Sequence, residues 1–312
     1  MSSSRAHTLV QHCRDLVRRF DYESYLCCIF APTARRPAFW AIRAFNIELA
    51  QIREHVQSVH LGHMRMQWWR DTISAVYQGK PTSHPVAALL SHCLDHMHLS
   101  QAWFNRIIDE RDANLANPLY TRMHDVETYA EHTASCLLYL HLEALGLADV
   151  HADHVASHIG KALGITALLR GTPRHLAARE FHLPSQTAAK HGVAVEHVRR
   201  HGASEPFRNL VFEVATAAHG HIATARAHAK GVPASAAPAL LLSIPCEAWL
   251  NRLQDARFDL FDPSLARKSW MLPWTIWKHT NCCETQDYVY EDRGCYCYLS
   301  RYIKCTSHTE RR

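Results

Sequence analysis

The amino-acid sequence predicts an all-α fold. Apolar side chains recur every three or four positions through most of the chain, which is the pattern of helices with one buried face. No convincing alternation of apolar and polar residues, typical of a β-strand, occurs before residue 280. The chain has 312 residues, of which 47% are hydrophobic and 20% are charged, so it can form a sizeable helical bundle with a central core or cavity.

The first two helices follow from the N-terminal sequence. Residues 1–20 are amphipathic and rich in Ser and Arg, as in a mitochondrial transit peptide, although Asp15 is unusual in one. Helical spacing favours a first core helix instead, with apolar side chains at Leu9, Cys13, Leu16, Val17 and Phe20. The second helix begins at Pro37, a residue type favoured in the first helical turn, and its apolar stripe extends to Val56.

Caps and helix breakers predict the remaining helices. Ser100 and Asp125 are candidate N-caps, whereas Gly79, Gly146 and Gly231 are candidate ends. The predicted helices cover residues 64–80, 84–97, 101–115, 126–146, 152–171, 206–230 and 238–256. The composition changes after residue 278, and we predict that residues 279–312 form an atypical, disordered tail, whose cysteine spacing matches no standard zinc pattern.

Charge and hydropathy exclude several classes of protein. The net charge of +5 is small and Lys and Arg do not form blocks, so no nucleic-acid partner is predicted. The longest apolar run, residues 238–245, is too short to span a bilayer. No signal peptide is recognised, which favours a reducing compartment, and the cysteines outside the tail have apolar neighbours, as buried thiols do.

Two four-residue spacings decide whether the chain can be a metal-dependent enzyme. Asn46 and Ala50 stand four apart on the predicted inward face of the second helix, with Arg43 three residues before Asn46. Two carboxylates at this spacing could hold Mg²⁺ and, through it, a diphosphate. An amide and a methyl group do not supply that negative charge, so the sequence predicts no metal here.

The second pair, Gly171 and His175, follows Arg170 near the end of another predicted helix. Glycine has no side chain, histidine is a poor ligand for Mg²⁺, and we expect Pro173 to break the helix between them. We therefore predict no catalytic residue, no metal and no cofactor at either pair.

Other clusters permit two interpretations each. The helix face with His151, His154 and His158 could hold a metal or could be an exposed polar face. The second interpretation is favoured, because Val155 and Ile159 lie on the other side of the helix. Aromatic side chains could line a lipid cavity or simply fill the core, namely Trp68, Trp69, Trp103 and Tyr139. Arginines could meet phosphates or an acidic partner or be solvated, namely Arg35, Arg36, Arg43, Arg65 and Arg70.

Several blocks together resemble the squalene/phytoene synthase family, in the order "RAFNIELAQ", "MRMQWWRDTI", "YAEHTASCLLYL", "ASHIGKALGITALLRG" and "REFHLP". The resemblance covers roughly residues 8–278 and implies a single isoprenoid-synthase-like helical domain. In that family two aspartate-rich motifs face each other across a cavity and bind Mg²⁺ and isoprenoid diphosphates. The resemblance places the first motif on Asn46 to Ala50, after Arg43, and the second on Gly171 to His175. Both motifs would then be degenerate, and the chain a pseudoenzyme.

Longer blocks such as "IIDERDANL" and "FDLFDPSLARKSWMLP" resemble the branch of this family that assists the assembly of mitochondrial respiratory complex I. This resemblance implies a non-catalytic assembly factor on the matrix side of the inner membrane, acting early and near a membrane-embedded subunit. The implied partners are complex I subunits or other assembly factors and the inner-membrane surface, with a lipid in the cavity as a further option.

Two alternatives stay open. A working isoprenoid-diphosphate transferase would need other metal ligands, and the available carboxylates lie on mixed helix faces, namely Glu48, Glu54, Asp109, Glu110 and Asp112. A lipid-binding module would keep the cavity without the chemistry.

Overall fold

A computed structural model describes residues 3–116 and 120–281. All regular secondary structure in these two segments is helical, which confirms the all-α prediction. The α-helices are α1 Ser3–Phe20, α2 Tyr22–Cys28, α3 Arg36–His55, α4 Val59–Tyr77, α5 Pro85–Leu94, α6 Gln101–Ala113, α7 Met123–Ala130, α8 Cys136–Ala144, α9 Val150–Ala177, α10 Ser185–Lys190, α11 Val195–His201, α12 Glu205–Ala227, α13 Ala237–Leu240, α14 Ser243–Asp255, α15 Pro263–Ala266 and α16 Leu272–Asn281.

The two helices that carry the predicted motifs, α3 and α9, are held by different parts of the core. α3 packs against α1, α5 and α8, and α9 packs most extensively against α12. Phe39, Phe45 and Leu49 anchor α3 in one apolar cluster, whereas Ile165 and Leu169 anchor α9 in another. Burial of these large side chains fixes the rotation of each helix about its axis.

Two glycines let α9 approach its neighbours unusually closely. A Cβ added at Gly160 would lie 2.4 Å from the Cα of Ser135, and one added at Gly164 would lie 2.3 Å from the Cβ of Ala130. Ser135 ends a π-helical turn, Glu131–Ser135, between α7 and α8. Such turns are frequent at functional sites, and here the turn forms part of the wall of the cleft described below.

The structure corrects three local predictions. Pro173 does not break the helix, because α9 continues to Ala177 with the proline inside it. The helix predicted over 126–146 is interrupted by the π-helical turn, and α7 begins at Met123, upstream of the predicted cap. Ser100 does precede α6, but its hydroxyl donates to the carboxylate of Glu143 rather than capping the helix.

The N-terminal helix contributes to the core, as helical spacing predicts. Cys13 and Val17 of α1 are fully buried against α3 and α5, although Phe20 is 49% exposed. In the described segments, no helix combines the length and the apolar character needed to cross a bilayer. The first three residues of the predicted tail, 279–281, belong to α16. The rest of that prediction, 282–312, lies outside the described residues.

Six cysteines of the described segments are buried free thiols, as their apolar neighbours predict: Cys13, Cys27, Cys28, Cys93, Cys136 and Cys246. Burial raises the pKa of Cys28, Cys93 and Cys136 to about 12, and it raises the pKa of Cys246 to about 11. These thiols are therefore protonated at neutral pH.

Candidate functional site

A cleft of about 990 Å³ opens between α3 and α9. Side chains from α2, α6, the π-helical turn, α14 and the segment after α9 also line it. The structure brings all six predicted site residues to this one cleft, namely Arg43, Asn46 and Ala50 from α3 and Arg170, Gly171 and His175 from α9.

The amide of Asn46 is a partner for a cation. Its Oδ1 accepts a hydrogen bond of 2.7 Å from Nη2 of Arg111, which comes from α6. The Nε of Arg111 is buried and has no hydrogen-bond partner, so Asn46 is one of the few groups that satisfy this guanidinium. Four residues further along, Ala50 is exposed in the cleft and offers only a methyl group.

Arg43 is a buried cation on the same wall. Only 7% of its side chain is exposed, and its Nη1 lies 3.8 Å from the carboxylate of Asp21. Its Nε and Nη2 are buried without a partner. Burial lowers the pKa of the nearby His141 far below the usual range, and the charge of Arg43 lowers it further. His141 is therefore neutral, and Arg43 keeps the N–H bonds of two nitrogens for an acceptor that the described residues do not supply.

On the opposite wall, His175 occupies the space that Gly171 leaves. A Cβ added at Gly171 would lie 2.8 Å from Cε1 of the His175 ring. The ring packs edge-on against His182, with the two centroids 4.6 Å apart. Burial, followed by the neighbouring His182, lowers the pKa of His175 from 6.5 to about 4, so the ring is neutral at pH 7. A carboxylate at position 171 would collide with this ring unless the ring moved.

The carboxylates of the cleft are all paired with arginines. Opposite charges at these distances stabilise the ionised forms of both partners. The pairs are Glu23–Arg170 at 2.8 Å, Glu180–Arg53 at 2.9 Å, Asp21–Arg43 at 3.8 Å and Glu54–Arg174. Five arginines and four acidic side chains line the cleft, since Arg111 has the amide of Asn46 in place of a carboxylate.

This donor set does not fit a Mg²⁺–diphosphate site. Among the described residues, no group of three or more His, Cys, Asp or Glu side chains could hold a metal ion. Of the alternative carboxylates, only Glu54 lines the cleft. Asp109 and Asp112 bind Arg70 at 2.8 and 2.7 Å, and Glu110 lies 2.8 Å from His132.

The other predicted clusters lie away from the cleft. Trp69 is buried in the first apolar cluster, against which Trp103 and Tyr139 pack, and none of the four aromatic residues proposed for a lipid cavity lines the cleft. Among the five arginines predicted to meet phosphates, Arg43 is the one that lines it. Arg36 donates instead to the carbonyl of Ala31, at 3.2 and 3.0 Å.

Spacing along the chain did not reveal a histidine cluster between α9 and α12. His154 is exposed, as the polar-face interpretation predicts, but its ring lies 4.9 Å from that of His158 and 4.7 Å from that of His228. The Nδ1 atoms of His158 and His221 are 2.9 Å apart. Burial, with the neighbouring histidines, lowers the pKa of His158 to about 4. Two helices distant in sequence form this cluster, so the pattern within either one cannot predict it.

The squalene/phytoene synthase family model matches residues 17–278. The chain is 43% identical over 267 residues to NADH dehydrogenase (ubiquinone) complex I, assembly factor 6, of Bos taurus, covering 86% of this chain and 80% of that one. Identity to the protein of the same name from Homo sapiens is 42% over 262 residues, with coverage of 84% and 79%.

A crystal structure of a dehydrosqualene synthase in complex with ligand superimposes with a TM-score of 0.79 at 16% identity, covering 97% of this chain and 99% of that one. This likeness shows that the two proteins share a helical fold. The family model covers most of the sequence, and the shared fold agrees with it. The chain therefore belongs to the squalene/phytoene synthase family.

Proposed function

We propose that this protein is an assembly factor for respiratory complex I and does not catalyse the metal-dependent condensation typical of its family. The observation that carries the proposal is the likeness to the bovine and human assembly factors, which extends over more than four fifths of the chain. Such a factor works through its surfaces, for which the helical core provides a rigid support.

The geometry of the cleft supports the non-catalytic part of the proposal. At the positions that the family resemblance assigns to aspartates, the chain has Asn46 and Ala50 on α3 and Gly171 and His175 on α9. The carboxylates that do reach the cleft are neutralised by arginines, so little negative charge is left for a divalent cation. Asn46 and Arg111 instead bind each other across the cleft wall.

The proposed location is the matrix side of the mitochondrial inner membrane, at an early step of assembly near a membrane-embedded subunit. The proposed partners are complex I subunits or other assembly factors. This finer part rests on the resemblance of the sequence blocks to the assembly-factor branch.

The assembly role is tested in cells from which the gene has been removed. We expect native gels to show loss of assembled complex I and its return when the full chain is expressed. When it is expressed to the same protein level as the original chain, the variant Asn46→Ala should restore assembly equally well, because the proposed role does not use position 46 for chemistry. Unchanged complex I in the cells without the gene would contradict the assembly role.

The absence of catalysis has a separate test. The purified chain is incubated with farnesyl or geranylgeranyl diphosphate and Mg²⁺, and pyrophosphate release is measured. We expect no release above background. Release that a chelator abolishes would show that the chain is an active transferase.

One observation favours a second role, the binding of a lipid in the cleft. Arg43 is buried and has two guanidinium nitrogens without a hydrogen-bond partner, while leucine and isoleucine side chains line part of the same cleft. An anionic amphiphile would satisfy both features. Mass spectrometry of native protein should then detect bound lipid, which Arg43→Met should reduce and the exposed Arg65→Met should not.

A further inference from the structure

Three tryptophans are concentrated on one exposed face near the end of the described chain. Trp270, Trp274 and Trp277 are 86%, 53% and 51% exposed, which makes them the most exposed of the eight tryptophans. Their spacing of four and three residues places them on one side of α16 and of the turn before it. Met271, 40% exposed, extends this surface, which we call the tryptophan face.

The opposite side of α16 fixes the orientation of the tryptophan face. Leu272 and Ile276 are buried in the third apolar cluster, and α16 packs against α2 and α14. The helix therefore cannot rotate to bury its tryptophans without exposing these two side chains. A contiguous group of exposed large apolar side chains, held in place by the core, is typical of an interaction site.

The charged side chains in the segment that carries the tryptophan face are all basic. Residues 263–281 contain Arg267, Lys268 and Lys278 and no Asp or Glu. The Nζ of Lys278 lies 5.4 Å from the ring centroid of Trp274, and the Nζ of Lys268 lies 4.7 Å from that of Tyr22 on α2. Lys278 therefore lies against the tryptophan face itself, and Lys268 lies against the neighbouring helix α2.

A second exposed apolar stripe lacks this charge pattern. Leu61, Met64 and Trp68 of α4 are each at least 40% exposed. Asp71 lies on the same helix, and Asp112 binds His63 beside the stripe at 2.6 Å. Unlike residues 263–281, α4 carries a carboxylate as well as arginines, and the nearby Asp112 is paired with Arg70, so the α4 stripe serves as a comparison with similar apolar exposure and mixed charge.

We propose that the tryptophan face is a docking surface for an anionic lipid bilayer. Indole rings prefer the boundary between headgroups and acyl chains, because each ring has an apolar body and a polar N–H group. A short helix with aromatic residues on its outer face and Lys or Arg at the edges lies in the plane of that boundary. The three cations would contact lipid phosphates. This inference deepens the proposed membrane-surface location, but it can be tested without complex I.

The test is flotation of the purified full chain with vesicles. We expect the chain to float with phosphatidylcholine vesicles containing about one fifth cardiolipin, and much less with phosphatidylcholine alone. The triple variant Trp270→Ser, Trp274→Ser, Trp277→Ser should weaken binding by at least about tenfold. Lys268→Gln and Lys278→Gln should each weaken it by about fivefold on the anionic vesicles.

The α4 variant Leu61→Ser, Met64→Ser is the control and should bind as the original chain does. Thermal melts followed by circular dichroism identify variants that fail to fold, and for those the single substitution Trp270→Ser, at the most exposed position, is used instead. No flotation of the original chain, or equal loss in the tryptophan and α4 variants, would overturn the proposal. Loss of complex I assembly in the tryptophan variant, with no vesicle binding by the original chain, would assign the surface to a protein partner instead.

Discussion

Asn46 shows how one side chain can change the chemistry of a cleft. An amide at this position accepts a hydrogen bond from Arg111, a residue 65 positions away in sequence. The nearby Arg43 is buried with two guanidinium nitrogens that have no hydrogen-bond partner, so the α3 wall has more donors than acceptors. Removing the acceptor at position 46 therefore increases the number of unsatisfied groups.

We predict that Asn46→Leu lowers the free energy of unfolding by about 1–3 kcal/mol, because it leaves Nη2 of Arg111 without its acceptor. Asn46→Asp keeps an acceptor, adds an opposite charge and should be at least as stable as the original chain. Urea denaturation of the three proteins measures this. Equal stability of the Leu and Asp variants would show that the Arg111 contact contributes nothing.

His175 should make stability depend on pH. Its pKa is about 4 in the folded chain against 6.5 ordinarily, so between these values the unfolded chain binds more protons. Stability is therefore fully present above pH 6.5 and falls as the pH drops towards 4. His175→Gln should reduce the proton uptake on unfolding at pH 5.5 by up to about one proton.

Melting temperatures between pH 7.5 and 5.5 measure the effect, with the exposed His124→Gln as the control. The variant at position 175 should lose less stability on acidification than the original chain, and the control should not differ from it. Identical pH profiles for all three proteins would contradict the proposed burial of a neutral His175.

The helices show what an apolar pattern can and cannot predict. The stripes of α3 and α9 are long, so their period predicts which residues face inward, and both motif pairs do reach one cleft. Pro173 misled the prediction because Leu169 and Leu176 on either side are buried and hold the helix despite the missing N–H group. The contact of Asn46 with Arg111 could not be predicted, since spacing within one helix says nothing about the side chain opposite.

The close packing of α9 against the π-helical turn requires a glycine at position 160. Gly160→Ala should destabilise the protein by about 3 kcal/mol or more, because the added Cβ meets the backbone of Ser135 and the two elements must separate. Gly220 in α12 is exposed and has no atom within 4 Å of an added Cβ. Gly220→Ala should therefore stabilise by about 0.5–1 kcal/mol.

Both changes in the free energy of unfolding are measured by urea denaturation, from the shift of the midpoint at an unchanged dependence of the free energy on urea concentration. A neutral Gly160→Ala would mean that α9 and the π-helical turn are further apart in solution.

For the whole molecule, the arginine-paired cleft predicts insensitivity to Mg²⁺. A ligand that binds the folded state raises the melting temperature, and among the described residues no group of three or more His, Cys, Asp or Glu side chains could hold the ion. We expect MgCl₂ to change the melting temperature by less than about 1 °C relative to NaCl of equal ionic strength. A rise that a chelator reverses would contradict the absence of a metal site.

The six buried thiols can serve as reporters of motion within the molecule. Protonated and shielded from solvent, they cannot react with an alkylating reagent until the helices around them separate. Cys13 and Cys93 lie in one apolar cluster, Cys246 in the second and Cys27 in the third. Peptide-resolved alkylation rates would therefore show whether the three regions open together or one after another, without any engineered probe.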